Sequence, residues 1–237
     1  MFFVRKVIAI DGPSGAGKST IARMLAQKLG FEYLDTGALY RAVALYLVRL
    51  GLRENATDDE VAEAVKKVYV VFRQGRVIMN GADVSDEIRT PEASHFASVF
   101  SARRPVREHL LEIQRDAARH TDIVAEGRDM TTVVFPGACR KFYLDASVGE
   151  RTRRRTLELA AKGFEVNEEE IRMEIAERDA RDAGRDIAPL RKADDALFIE
   201  STGLPVEKVL MKIMEHLPEE KDGACGAAAG GGAACRS

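Results

Sequence analysis

Val7-Ile-Ala-Ile-Asp11 runs directly into Gly12-Pro-Ser-Gly-Ala-Gly-Lys-Ser-Thr20, and an amphipathic stretch follows that closes at Gly30. The short apolar run, Val7–Ile10, reads as a buried strand and the stretch from about Lys18 as a helix. The turn between them matches G-x-x-x-x-G-K-[ST] at every fixed position. Glycines at 12, 15 and 17 admit backbone conformations closed to residues with a Cβ, so several N–H groups converge on one phosphate oxyanion. The helix beginning near Lys18 adds the positive end of its dipole at the same spot. Lys18 is within reach of β and γ phosphates, and the Ser19 hydroxyl is placed to ligate Mg²⁺. This is a phosphate-binding loop in its required strand-to-helix setting.

The pattern continues outward. Phe31 to Asp35 reads as a second strand, and about Ala38 to Leu50 as a helix ending at Gly51. Thr57 and Glu60 form a capping box that opens a helix to about Lys67. The period then switches to two: Tyr69 to Arg73 and Arg76 to Asn80, around Gln74-Gly75, read as a β-hairpin. Thr90-Pro91-Glu92 starts a helix with proline at its first position, and Pro105 starts another. Ile123 to Ala125, Lys141 to Leu144 and Ala196 to Ile199 return to the buried, parallel type of strand. Between the last two lie helices opened by Ser147-x-x-Glu150 and Asn167-x-x-Glu170 and joined by the segment KGFEV. A final helix spans Val206 to His216. The expected fold class is α/β, a three-layer sandwich with a parallel central sheet, an inserted domain carrying the hairpin, and a helical lid. The expected divisions are a core of 4–35, 121–146 and 187–217, an insertion of 36–120 and a lid of 147–186. Residues 218–237 are rich in Gly and Ala and bury too little apolar surface to offset ordering entropy, so they read as a disordered tail.

Composition bounds the partners. The 237 residues carry 36 Lys+Arg and 38 Asp+Glu, so net charge argues neither for nor against a polyanion and clustering has to decide. Cys139 stands alone beside a predicted strand and Cys225 and Cys235 lie in the tail. That usage offers no metal spacing and no disulfide framework, and it points to a reducing cytoplasm. The N-terminal apolar run is too short for a signal peptide, and no stretch reaches the roughly 20 apolar residues of a membrane span.

A phosphate loop alone leaves three classes: small-molecule kinases, guanine-nucleotide switches and ATP-driven machines. A switch needs D-x-x-G and N-K-x-D, and neither occurs in the chain. Machines carry a strand ending in adjacent acidic residues, whereas the third core strand here ends in Glu126-Gly127-Arg128-Asp129. Kinase chemistry places cations around both donor and acceptor phosphates, because catalysis is mainly positioning and charge stabilisation. Arg41, Arg107, Arg128, Arg151, Arg154, Arg178 and Arg185 all fall near element ends or in the lid. Arg178, Asp182 and Arg185 stand at i, i+4 and i+7, on one helix face, opposite the arginines of Arg151-Thr-Arg-Arg-Arg155. Together they suggest an arginine-lined flap that keeps water from the γ-phosphate.

Five motifs in order then resemble a known family, the bacterial cytidylate kinases among nucleoside monophosphate kinases. They are IDGPSGAGKST, LDTGALYR at Leu34 to Arg41, ADVSDEIRTPE at Ala82 to Glu92, EGRDMTTVVFP at Glu126 to Pro136, and ERDARDAGRDIAPL at Glu177 to Leu190. The resemblance covers about residues 5 to 216. It implies a cytoplasmic monomer that transfers the γ-phosphoryl group of ATP to CMP and dCMP with Mg²⁺, and that uses neither nucleic acid nor membrane. ATP would lie on Gly12, Pro13, Ser14, Gly15, Ala16, Gly17, Lys18, Ser19 and Thr20, with Ser19 toward Mg²⁺. Ser98, Arg107 and Asp129 would read the cytosine edge. Arg41, Arg128 and Arg185 would bind the monophosphate, Arg178 and Asp182 would sit near the sugar hydroxyls, and Asp35 and Thr36 would belong to the acceptor site. Lys18, Arg128, Arg185 and Asp35 form the catalytic group, and Arg151 and Arg154 the lid pair. The alternatives are a kinase of another small acceptor such as UMP, or a nucleotide-binding switch without transfer activity.

Overall fold

The computed structural model describes residues 5–73 and 75–217. The tail expected at 218–237 lies outside them. Five parallel strands form the central sheet: β1 (Val7–Asp11), β2 (Glu32–Asp35), β6 (Ile123–Gly127), β7 (Arg140–Asp145) and β8 (Leu197–Glu200), in the spatial order β2-β6-β1-β7-β8. Strand β1, which feeds the phosphate loop, is therefore central, with Asp11 level with Gly127 on one side and Tyr143 on the other. The carboxyl ends of all five strands open on the same edge, where ligands bind in open α/β sheets.

Strand periodicity divides the core. Ala9, Leu34, Ile123 and Ala125 face one side of the sheet, while Ile8, Ile10, Val124, Phe142, Leu144 and Ile199 face the other. The second face is covered by α1 (Lys18–Leu29) and α8 (Val206–Met214) through Ile21, Leu25, Val209 and Ile213. The first face is covered by α2 (Thr36–Arg49) and α5 (Arg104–His120), and its apolar cluster runs without a break into the hairpin through Val70, Val77 and Met79. Strands β3 (Val70–Arg73), β4 (Arg76–Met79) and β5 (Ala82–Asp83) make a small antiparallel sheet. Helices α3 (Asp58–Val65) and α4 (Pro91–Phe100) complete this part of the chain. The α/β three-layer reading holds.

The segment expected to form a lid is the helical pair α6 (Val148–Ala161) and α7 (Glu168–Gly184), whose own apolar cluster is Leu159, Ile171 and Ile175. Both helices begin where their caps predict, with the Ser147 hydroxyl accepting from the Glu150 N–H and the Asn167 side chain from the Glu169 and Glu170 N–H groups.

Several expectations are corrected. Helix α2 starts at Thr36 rather than Ala38, because the Asp35 carboxylate caps it by accepting from the Ala38 N–H at 2.8 Å. Helix α7 ends at Gly184, and Arg185 already has extended backbone, so Arg185 reaches the cleft from a loop rather than from the helix face. Strand β5 and a helical turn at Met130–Val134 went unread, since two residues and one turn carry no periodicity. Cys139 is disulfide-bonded, which overturns the disulfide-free reading and removes the cysteine argument for a reducing compartment.

Candidate active site

A cleft of about 720 Å³ runs along the carboxyl edge of the sheet, floored by the phosphate loop and roofed by the lid. The loop owes its shape to glycine. Gly12 has φ +147°, and a Cβ there would meet the Leu144 carbonyl oxygen at 1.9 Å. Gly17, at φ +94°, makes the left-handed step into α1.

Lys18 follows directly. It is 5% exposed, and its ammonium donates to the Pro13 carbonyl at 2.7 Å. Burial lowers its pKa to about 7, and Arg128 and Arg178 nearby push the same way, against partial compensation from Glu126 and Asp11. Arg178 is shifted in the same way: its Nε is buried without a partner, and burial, then Arg128, lowers its pKa to about 10 against partial compensation from Asp182. A site in which two basic side chains are held below their ordinary range is built to receive negative charge.

Glu126 is the penultimate residue of β6, beside the loop. One carboxylate oxygen accepts from the Ser19 hydroxyl at 2.7 Å and from the Tyr33 hydroxyl at 3.2 Å, while its backbone carbonyl accepts from Thr36 Oγ1 at 2.7 Å. Burial pushes the Tyr33 phenol well above its usual range, so it remains a neutral donor.

Two interlocked ion pairs follow on the next residues. Arg128 Nε donates to Asp182 at 2.8 Å, which ties α7 to the end of β6. Asp129 accepts from the Arg107 guanidinium, which also donates to the Ser101 carbonyl at 3.1 Å and lies 5.6 Å over the Tyr40 ring. Arg185 stands between the pairs, 3.8 Å from Asp129 and 3.6 Å from Asp182, and donates to the Ala188 carbonyl at 2.6 Å. Arg41 pairs with Asp35 at 3.2 Å and keeps its Nε buried without a partner. The turn that carries Asp129 is held from beneath by Asp11, whose carboxylate accepts from the Met130 and Thr131 N–H groups and from Thr131 Oγ1, at 2.9, 2.8 and 2.6 Å. Burial raises Asp11 to about 6, against those three hydrogen bonds.

Of the residues expected from sequence, Ser14 through Thr20, Asp35, Thr36, Arg41, Arg107, Arg128, Asp129, Arg154, Arg178, Asp182 and Arg185 line this one cleft. Gly12, Pro13, Ser98 and Arg151 are not among the residues that line it. Ser98 is buried on α4 with its hydroxyl unpartnered, while its neighbours Ser94, Ala97 and Ser101 face the cleft. Sequence reasoning missed Glu126 and Tyr40, and also Ser201, Leu204, Pro205, Val206, Arg153 and Arg155, which line the cleft as well. Glu126 was within sight, as the acidic residue closing a buried strand beside the loop.

A family model described as cytidylate kinase matches residues 8–219. The chain is similar to curated cytidylate kinases over most of its length. It is 46% identical over 224 residues to one from Thermodesulfovibrio yellowstonii, covering 92% of this chain and 100% of that one. It is 50% identical over 220 residues to one from Geobacter sulfurreducens, covering 91% and 94%. It is 48% identical over 212 residues to one from Thermotoga neapolitana, covering 90% and 96%.

Proposed function

The chain belongs to the cytidylate kinase family, and from that premise we infer that its cleft transfers the γ-phosphoryl group of ATP to CMP, with dCMP as a second acceptor, giving ADP and the cytidine diphosphate. The observation that carries this reading at the level of residues is the charge of the cleft. Lys18 and Arg178 are held below their ordinary pKa by burial and by the neighbouring Arg128. Two phosphate-bearing ligands, a triphosphate and a monophosphate, would restore that balance.

In this reading the loop backbone and Lys18 grip the β and γ phosphates of ATP, while Arg41, Arg128 and Arg185 hold the acceptor phosphate and Asp35 and Thr36 shape its site. Arg178 and Asp182 lie toward the sugar, and Ser98, Arg107 and Asp129 toward the cytosine edge. A monophosphate oxygen is already anionic near neutral pH, so the residues orient and neutralise rather than remove a proton. Water exclusion falls to the lid, with Arg154 fixed on the loop side by bonds to the Ala16 carbonyl at 3.2 Å and the Ser201 carbonyl at 2.8 Å.

Mg²⁺ fits the oxygens present. A hydroxyl and a carboxylate, from Ser19 and Glu126, meet at the end of the loop, and Mg²⁺ takes its other ligands from substrate phosphates and water. Among the described residues there is no cluster of three His, Cys, Asp or Glu that would form a complete cage. When bound, it neutralises charge on the β and γ oxygens.

The reading places the protein in the cytoplasm as a monomer that engages nucleotides alone. Among the described residues no helix is long and apolar enough to cross a membrane. It keeps the division into a core of 4–35, 121–146 and 187–217, a monophosphate-binding insertion of 36–120 and a lid of 147–186. The test is a coupled assay with ATP and a panel of monophosphates, extended to Asp129→Ala. CMP is expected to be the preferred acceptor, with the CMP-to-UMP ratio of kcat/KM collapsing in the variant, because a buried polar site left unpaired loses discrimination. An unchanged ratio would remove Asp129 from base recognition, and absence of transfer to CMP would overturn the function.

A further inference from the structure

Arg151 reads from sequence as one of the arginines aimed at phosphate. Its bonds say otherwise. It is 5% exposed, and its Nε donates to the Ala146 carbonyl at 2.9 Å. Its Nη1 donates to the Ser14 carbonyl in the phosphate loop at 3.1 Å and to Asp179 on α7. Asp145, at the end of β7, adds a carboxylate 3.8 Å away. The contact with the loop is also steric: a Cβ on Gly15 would meet both Arg151 Cβ and the Arg151 carbonyl oxygen at 3.0 Å. Asp179 commits one oxygen to Arg151, and its other oxygen is buried without a hydrogen-bond partner. Three residues on, Asp182 accepts from Arg128 at 2.8 Å. Helix α7 is thus registered at two points less than one turn apart, one on the loop that would hold the donor and one on the strand end that would hold the acceptor.

We propose that Arg151 and Asp179 form a positioning pair that couples the phosphate loop to helix α7, so that occupation of the loop by the donor tightens binding of the acceptor. The pair touches neither substrate. A phosphate that engages the loop's N–H groups fixes the peptide whose carbonyl Arg151 holds. Arg151 then fixes Asp179, and α7 brings Arg178 and Asp182 into register over the acceptor. By linkage the coupling is reciprocal. The inference rests on the function proposed above, and its test separates the two.

Calorimetric titration of CMP is made with and without a saturating non-hydrolysable ATP analogue, on the wild type, Asp179→Asn, Arg151→Lys and the double variant. In the wild type the analogue is expected to tighten CMP by about tenfold. Asp179→Asn is expected to bind CMP alone within about twofold of wild type but to lose the tightening, and the double variant to lose no more than either single one. Asp179→Glu, which keeps the charge, is expected to recover part of the tightening and serves if the amide variant folds poorly. A purely structural pair would weaken CMP equally with and without the analogue, and that result overturns the proposal. So does a wild type without tightening, or undiminished tightening in Asp179→Asn. Failure of the wild type to phosphorylate CMP would instead overturn the function.

Discussion

The central sheet and the lid are held by different forces. Around the sheet, fully buried side chains such as Ile10, Leu25, Phe142, Leu144 and Ile213 interlock on one face, and Leu47, Leu110 and Ile123 on the other. The lid has three buried apolar residues of its own, and it meets the body through charged side chains: Arg151 to the Ser14 carbonyl, Asp182 to Arg128, and Arg154 to the loop and Ser201. Apolar packing is indifferent to a bound anion. Arginine pairs are not, because phosphate oxygens accept from the same guanidinium forks. The contrast predicts a platform that stays fixed and a cover whose position depends on what it covers.

The largest effect on that comparison comes from the platform. Phe142→Ala is expected to cost about 3–5 kcal/mol of global stability, read as a shift in denaturant midpoint, because the ring is fully enclosed between α1 and α8. Ile175→Ala in the lid should leave the main transition nearly in place and instead accelerate amide exchange across α6 and α7. If the two substitutions lowered the midpoint equally, the lid would be part of the core.

Lys18→Ala comes next. It removes charge stabilisation at the loop and little packing, so kcat should fall by about 10²–10³, corresponding to about 2.7–4 kcal/mol in the transition state, with the melting temperature held. Retention of more than half the wild-type rate at saturating ATP would remove Lys18 from catalysis.

A smaller effect is a proton. The Lys18 pKa of about 7 lies below its ordinary 10.5, so the unfolded chain binds more protons than the folded one between those values. Lys18's contribution to stability is therefore least favourable below pH 7 and improves as pH rises toward 10.5. Donor phosphates beside the ammonium restore its proton, so nucleotide binding at pH 7 should take up roughly half a proton. Titrations in buffers of different ionisation enthalpy measure this, and Lys18→Arg should abolish it. Equal heats in all buffers would mean that Lys18 is already fully protonated.

Local signals carried much of this architecture in the sequence. Thr57 and Glu60 form both bonds of their capping box, Thr90 caps α4 ahead of Pro91, and Gly30 closes α1 in the left-handed conformation. Each is decided by neighbours within a turn. What was not legible depends on distant parts of the chain. Asp11 to Thr131 spans 120 positions and Ser19 to Glu126 spans 107, and no local pattern announces either. Arg151 is the clearest case: its residue type and its place in an arginine run suggested phosphate, and only the fold shows that it bonds a loop carbonyl and a lid carboxylate.

The most direct test of the account is hydrogen exchange across residues 151–185, measured without ligand, with CMP, with a non-hydrolysable ATP analogue, and with both. A lid held by charge is expected to gain little protection with either ligand alone and much more with both, while the strands of the central sheet exchange at the same slow rate throughout. Equal protection of 151–185 without ligand and with both would contradict the account, leaving the lid an ordinary helical hairpin and its arginines ordinary surface charge.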